Sequence, residues 1–439
     1  MSFNIGLSGL YAANKALNVT GNNIANSATT GFKASRAEFA DQYASSVRGT
    51  SGRTQVGSGV RTDAVSQQFT TGNIVGTGKS LDLAIDGDGF FAMSDNGSRI
   101  YTRAGAFYSD KEGKVVNASG ATLQGYPVDA NGQIVRGALT DLKIDTGNLA
   151  PRATSKVSET LNLNSTESAP ALTPFDPSDV KTYNYTFNTD LYDSQGNLHQ
   201  LNQYFVRDTV NNAWTMYTTV NGRNPADPSN TTPLVNTLPF KSDGSLDTAS
   251  MAAGPVAGGM SIATDKTFKM DNWVPAAKNA AGAWASNGAV ANDGGVGLDM
   301  LATTQYNAAS ATTAKDQDGY STGELTGLTV DQSGNLFANF TNGRDKVIGQ
   351  VAVATFANMQ GLTPVGGTAW RESYNSGVAV VGEPDTGTFG KIAGGSLEDS
   401  NVDLTGELVN LIKAQSNYQA NAKTISTEST VLQTIIQMT

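Results

Sequence analysis

Large apolar residues recur every seven positions at both ends of the chain and alternate with polar residues between them. Near the start Phe3, Leu10, Leu17 and Ile24 fall on one line, and near the end Leu404, Leu411, Tyr418, Ile425 and Leu432 do the same. A second line at each end is thinner, with Leu7, Asn14 and Gly21 in one and Leu408, Gln415, Ala422, Ser429 and Ile436 in the other. The pattern predicts a helix at each terminus. The second is expected to start at Ser400, with Asp403 completing a capping box, and to run about 50 Å at 1.5 Å per residue.

Between the ends the period is two. Segments such as "KSLDLAIDGDGFFAM", "TYNYTFNTDLY", "LHQLNQYFVRD" and "VIGQVAVATF" read as strands bounded by turns. One turn recurs four times, at Asp110–Gly113, Asp129–Gly132, Asp193–Gly196 and Asp331–Gly334. Aspartate at its first position bonds the turn's own amides, and glycine at its fourth takes a positive φ, so each predicts a hairpin. Loop-like, Ala- and Gly-rich stretches at 222–233 and 252–297 mark an inserted module at about 146–320, with flanking strands at 71–145 and 321–390 pairing into one domain.

Composition narrows the function. The 439 residues are 38% hydrophobic, enough for real cores, but only 15% charged, against roughly 25% in ordinary soluble domains. Uncharged polar surface suits contact between copies. A net charge of -10 argues against a nucleic-acid partner, which needs clustered Lys and Arg. With no cysteine, thiolate and disulfide chemistry are excluded. The start lacks both a basic and an unbroken apolar region, so no cleavable signal is read, and no run of eighteen apolar residues spans a bilayer.

Candidate chemistry is thin. "GNIVGTGKS" ends like a phosphate loop but has Asn73 where the first glycine belongs and runs into a strand. "DGDGF" has Phe90 and Phe91 where a calcium loop needs an oxygen ligand and a glycine. His199 is the only histidine, which rules out a metal site or catalytic pair built on two histidines of one chain. Trp214, Trp273, Trp284 and Trp370 read as core or sheet-face residues before ligand contacts. No two acids single themselves out for glycoside chemistry. The expectation is a non-enzymatic protein with no cofactor, metal or small-molecule substrate.

Isolated helices with one large apolar residue in seven are marginal in water and need partners. Residues 1–30 hold one charge, Lys15, and the far end few, so ion pairing does not organise them. Asn23-Ile24-Ala25-Asn26 and Thr30-Gly31-Phe32-Lys33, preceded by "SGLYAANKALNVTGN", resemble the N-terminal signature of bacterial flagellar axial proteins of the rod and hook. "NVDLTGELVNLIKAQSNYQANAKTISTESTVLQTII" is similar to their C-terminal helix, and "TTGNIVGTGKSLDLAIDGDGFF" to the entry into their inner β-domain. The resemblance covers about 1–145 and 320–439, and the inserted module resembles hook members most, since rod members lack it.

The resemblance implies a mainly β chain whose terminal helices form a coiled coil around a channel, with β-domains at larger radius. It divides the chain into 1–30 with 400–439 as coiled coil, 31–70 with 391–399 as extended connector, 71–145 with 321–390 as inner β-domain and 146–320 as outer β-domain. It implies a curved, hollow, self-assembled tube transmitting torque from rod to filament. The implied partners are copies of itself, the rod, hook-cap and hook-filament junction proteins, and the flagellar type III export apparatus. Localisation would be the extracellular hook, reached without a cleaved signal. Phe3, Leu10, Leu17, Ile24, Leu404, Leu411, Tyr418, Ile425, Leu432 and Ile436 are the expected assembly residues, and 31–70 is expected to borrow order from neighbouring subunits. A distal rod or junction subunit is the alternative; a surface adhesin, which would need a secretion signal, is a more distant one.

Overall fold

The computed structural model describes residues 2–42, 57–129 and 132–438. It is mainly β with a helix at each end, and the chain divides into two compact units. The first comprises 1–146, 326–339 and 345–439; the second comprises 147–325 and 340–344.

In the first unit, helix α1 (Ser2–Ala25) packs against α2 (Leu404–Met438), as the heptad lines predict. The start of α2 differs from the expected capping box. Asp403 is the cap, its Oδ1 accepting from the Thr405 amide at 3.1 Å, while the Ser400 hydroxyl closes a separate turn by accepting from the Val402 amide at 3.3 Å. Asp403 stands directly before Leu404, the first residue of the apolar line and of the helix.

Part of the expected extended connector is a hairpin: β1 (Ser35–Asp41) pairs antiparallel with β2 (Val60–Gln67), with a register shift after Glu38. Its ladder satisfies backbone groups that a lone extended chain would leave to water. Residues 43–56, and with them that part of the expectation of borrowed order, lie outside the described residues.

The main sheet of this unit runs through strands Asp345–Val351, Thr122–Tyr126, Phe90–Asp95, Ser98–Thr102, Ala369–Arg371 and Thr363–Gly366 in that spatial order. Its core is aromatic: Phe90, Tyr101, Phe356 and Trp370 are buried, with Phe90 edge-on to Trp370 at 5.5 Å and Tyr101 edge-on to Phe356 at 4.8 Å. Two short ladders, Ile74–Gly76 with Ser396–Glu398 and Leu83–Asp86 with Lys391–Gly394, lead the chain into α2.

The second unit holds an antiparallel meander of Tyr185–Tyr192, Leu198–Asp208, Ala213–Val220 and Leu234–Pro239. A five-stranded sheet accompanies it, in which Lys156–Asn162 pairs parallel to Val296–Asp299 and antiparallel to Ala311–Gln317. Inward-facing Leu201, Phe205, Trp214, Met216, Phe268 and Leu298 fill one core. The four Asp-x-x-Gly turns share one geometry: the glycine amide bonds the aspartate carbonyl at 3.0–3.1 Å, with glycine φ between 76° and 82°. In the Asp129 turn the two central residues lie outside the described set.

Candidate assembly surface

The face by which α1 meets α2 is built of small residues. Gly6, Ala13 and Thr20 are buried on one heptad line and Asn23 on the next, which also holds Gly9 and Ala16. A Cβ on Gly6 would sit 3.0 Å from the Ile425 side chain, and one on Gly9 would fall on the Asn421 amide. Ala414 is the buried position of α2. Side chains this small let two backbones approach closely, and close approach replaces the interlocking of large knobs.

The ten residues expected to form the assembly surface flank that seam. Leu10, Leu17, Ile24, Leu411 and Ile425 are half-buried; Phe3, Leu404, Tyr418, Leu432 and Ile436 are exposed, Ile436 at 72%. Ile425 reaches across to Gly6. Thus the heptad of large residues runs mostly beside the intramolecular contact, and Leu408, Val409, Ile412 and Val431 add exposed aliphatic surface to it. A helix pair normally turns such residues inward; here the glycine–alanine line takes the middle of the inner face, and the large residues lie at its flanks, half-buried or exposed.

The signature residues after α1 make the joint to the β-sheet. Asn23 donates from Nδ2 to the Ser35 carbonyl at 2.8 Å and to Glu407 of α2 at 3.1 Å, and its Oδ1 accepts from the Ser35 amide at 2.9 Å. Ile24 and Ala25 complete the last turn of α1, and Asn26 closes it by donating to the Asn22 carbonyl. Thr30 is half-buried and Gly31 turns the chain with φ 68°, where a Cβ would meet the backbone of Arg103 and Ala104. Phe32 is half-buried, and the Gly31 amide donates to the Glu398 carbonyl at 2.8 Å.

Lys33 then enters the interior. Its Nζ donates to Glu398 Oε1 at 2.5 Å and to the Thr70 carbonyl at 2.7 Å, while Arg103 donates to Glu398 Oε2 at 3.2 Å and to the carbonyls of Ile85 and Gly87. The Lys33 and Glu398 side chains are fully buried and that of Arg103 nearly so. Burial pulls the Lys33 ammonium below its ordinary range, although the Glu398 carboxylate beside it works the other way. One carboxylate therefore ties together the end of α1, the 70–72 segment, the sheet and the strand that leads into α2. Asn401 adds to the joint, accepting from the Ala34 amide at 2.8 Å and donating to the Gln68 carbonyl at 2.7 Å.

Sequence reasoning missed Glu398, Arg103 and Asn401, whose partners lie hundreds of positions away. It also missed the glycine–alanine line, whose signal was a second heptad phase too small to register as apolar. His199 lies buried on a strand of the second unit, with Asp193 at 3.1 Å and the Asn221 amide at 2.9 Å on its two ring nitrogens.

Comparison with known proteins places these features. Family models match at residues 3–33 (flagella basal body rod protein), 84–157 (flagellar hook protein FlgE/F/G D1 domain), 162–320 (flagellar basal body protein FlaE D2 domain) and 393–438 (flagellar basal body rod FlgEFG protein C-terminal). The chain is 38% identical to the flagellar hook protein FlgE of Salmonella typhimurium strain LT2 over the full length of both. This chain belongs to the flagellar hook protein family. The Escherichia coli K12 hook protein is 36% identical, again over both full lengths, and that of Borreliella burgdorferi 32% identical over 99% of this chain and 98% of its own. A crystal structure of Helicobacter pylori flagellar hook protein FlgE2 superposes with a TM-score of 0.49 at 14% identity, covering 72% of this chain and 98% of that one. Matches that include 162–320 carry the hook family's similarity through the inserted module, which the sequence resemblance had left uncovered.

Proposed function

We propose that this chain is the structural subunit of the bacterial flagellar hook, polymerising into a hollow, curved tube that acts as a flexible joint between rod and filament. End-to-end similarity to hook proteins carries the reading. The outward row of aliphatic side chains on α2 supports it, because such a row in a chain otherwise poor in charge needs other copies to cover it.

In this reading 1–30 with 400–439 form the inner tube, 31–70 with 391–399 the connector, 71–145 with 321–390 the inner β-layer and 146–320 the outer one. Phe3, Leu10, Leu17, Ile24, Leu404, Leu411, Tyr418, Leu432 and Ile436 meet neighbouring copies, while Ile425 serves the fold of the pair. The protein performs no catalysis; its work is mechanical. It leaves the cell through the flagellar export apparatus without a cleaved signal and meets rod, cap and junction proteins at the ends of the tube.

Negative-stain microscopy of concentrated protein tests the assignment: curved tubes are expected, and straight rigid rods would favour a rod subunit instead. Leu411→Asp places a charge in the outward row and is expected to abolish tubes while leaving the melting of the β units unchanged. Normal tubes from that variant would remove Leu411 from the interface.

A further inference from the structure

The two sheets of the second unit meet at a buried carboxyl. Glu159, on the strand Lys156–Asn162 of the five-stranded sheet, is 2% exposed, and its Oε1 accepts from the Thr189 hydroxyl of the meander at 2.7 Å. The Gln203 amide, fully buried on the next strand of the meander, reaches the same carboxyl. Its Nε2 is turned toward the sulfurs of Met216 and Met300, at 3.7 and 3.9 Å, and Gln203 Oε1 and Glu159 Oε2 both lack a donor among the described residues. Unpaired acceptors in a core are costly.

The charges nearby are committed elsewhere. Lys315, the register partner of Glu159 on Ala311–Gln317, is exposed and holds its ammonium over the Phe187 ring at 5.5 Å, and Asp316 beside it is exposed. On Val296–Asp299, Asp299 pairs with Lys156. On the meander Asp190 is exposed, His199 bonds Asp193, and Arg207 lies against the Trp214 ring. Tyr185 bonds Thr312, and Tyr204 and Tyr217 pack on Phe175. The strand Ala213–Val220 carries no charged residue.

We propose that Glu159 is held in the folded unit as a neutral carboxylic acid, its Oε2–H donating to Gln203 Oε1, and that its ionisation at higher pH loosens the contact between the two sheets. A proton on Oε2 gives every polar atom of the cluster a partner. Turning the Gln203 amide over would supply Oε2 with a donor, but would strand Gln203 Oε1 against two sulfurs that donate nothing. Burial also raises the Glu159 carboxyl above its ordinary range, with the bonds from Thr189 and Gln203 and the charge of Lys315 working the other way. This behaviour belongs to the fold of the second unit and is independent of polymerisation.

Glu159→Gln keeps the shape and copies the neutral acid, its own Nε2 donating to Gln203 Oε1. Denaturant unfolding followed by tryptophan fluorescence reads the second unit, which holds Trp214, Trp273 and Trp284. A carboxyl raised on folding adds stability that is fully present below its ordinary value near 4.5 and is lost as pH climbs through the folded value. The parent's unfolding constant is therefore expected to grow against the variant's by about tenfold per pH unit above pH 5, until the acid ionises in the folded state too. A gap that stays constant, or one that favours the parent at neutral pH, would mean a carboxylate bonded by a turned Gln203 amide and would overturn the proposal. Infrared spectroscopy of the parent needs no variant: at pH 6, where exposed carboxyls are ionised, the carbonyl band of a protonated carboxyl should be present, and it should vanish in alkali. Its absence at pH 6 would overturn the proposal equally. In alkali, amide hydrogen exchange at 157–161 should be at least tenfold faster in the parent than in Glu159→Gln at the same pH. Equal rates would leave ionisation without a conformational effect and refute the loosening.

Discussion

Glu398 is the residue whose loss the fold should feel most. Its carboxylate pairs with two buried cations, Lys33 and Arg103, so Glu398→Gln takes the bonded counter-charge from both at nearly unchanged shape. Removing one partner from a buried ionic cluster typically costs about 3–5 kcal/mol, and denaturant unfolding of the first unit should show a loss of that order. In the second unit, burial alone would raise the Asp193 carboxyl, yet hydrogen bonds from Asn197, His199 and Asn287 outweigh it and bring it down to about 2. A carboxyl lowered on folding adds stability that is present above the ordinary value near 3.8 and is lost as pH falls through about 2, on the order of 2 kcal/mol in full. Asp193→Asn should therefore be less stable than the parent at neutral pH, with the gap narrowing between pH 4 and pH 2. A constant gap across an acid titration followed by circular dichroism would show that the ionised form is not what matters.

At the scale of elements, the turns and helices were the most legible. Asp-x-x-Gly specifies its hairpin locally, through the aspartate's bonds to nearby amides and the glycine's positive φ, so four of them were readable from four residues each. The terminal helices were readable from their period, but their mutual face was not. A heptad of large residues marks a surface to be covered without saying what covers it, and the line Gly6, Ala13, Thr20 carries almost no hydrophobic signal. Gly9→Leu tests the face directly. The added side chain meets Asn421, so the helix pair should separate, read as lost helical circular dichroism, while the β units melt as before. The β1–β2 hairpin escaped prediction because "SRAEFAD" and "VRTDAVSQ" alternate weakly and face little core.

The whole molecule is a pair of β units with a helical end that is incomplete by itself. A monomer that leaves Leu404, Leu408, Ile412, Leu432 and Met438 in water gains little by keeping α2 folded. Limited proteolysis of the monomer should remove residues from both ends first and leave the β units, and the same treatment of assembled tubes should spare the ends. Ends that resist digestion in a monodisperse monomer would mean that α1 and α2 suffice for each other. The sequence by itself determined the helical ends, the β middle, the four hairpin turns and the signature that led to the family, because each rests on contacts among residues close in the chain. Tertiary structure alone decided that small residues line the face where α1 meets α2, that Phe3, Leu404, Tyr418, Leu432 and Ile436 stay exposed, and that one carboxylate at 398 holds Lys33 and Arg103. Those outcomes depend on which distant segments meet, and the energy of a buried charge or a close helix crossing exists only once they have met.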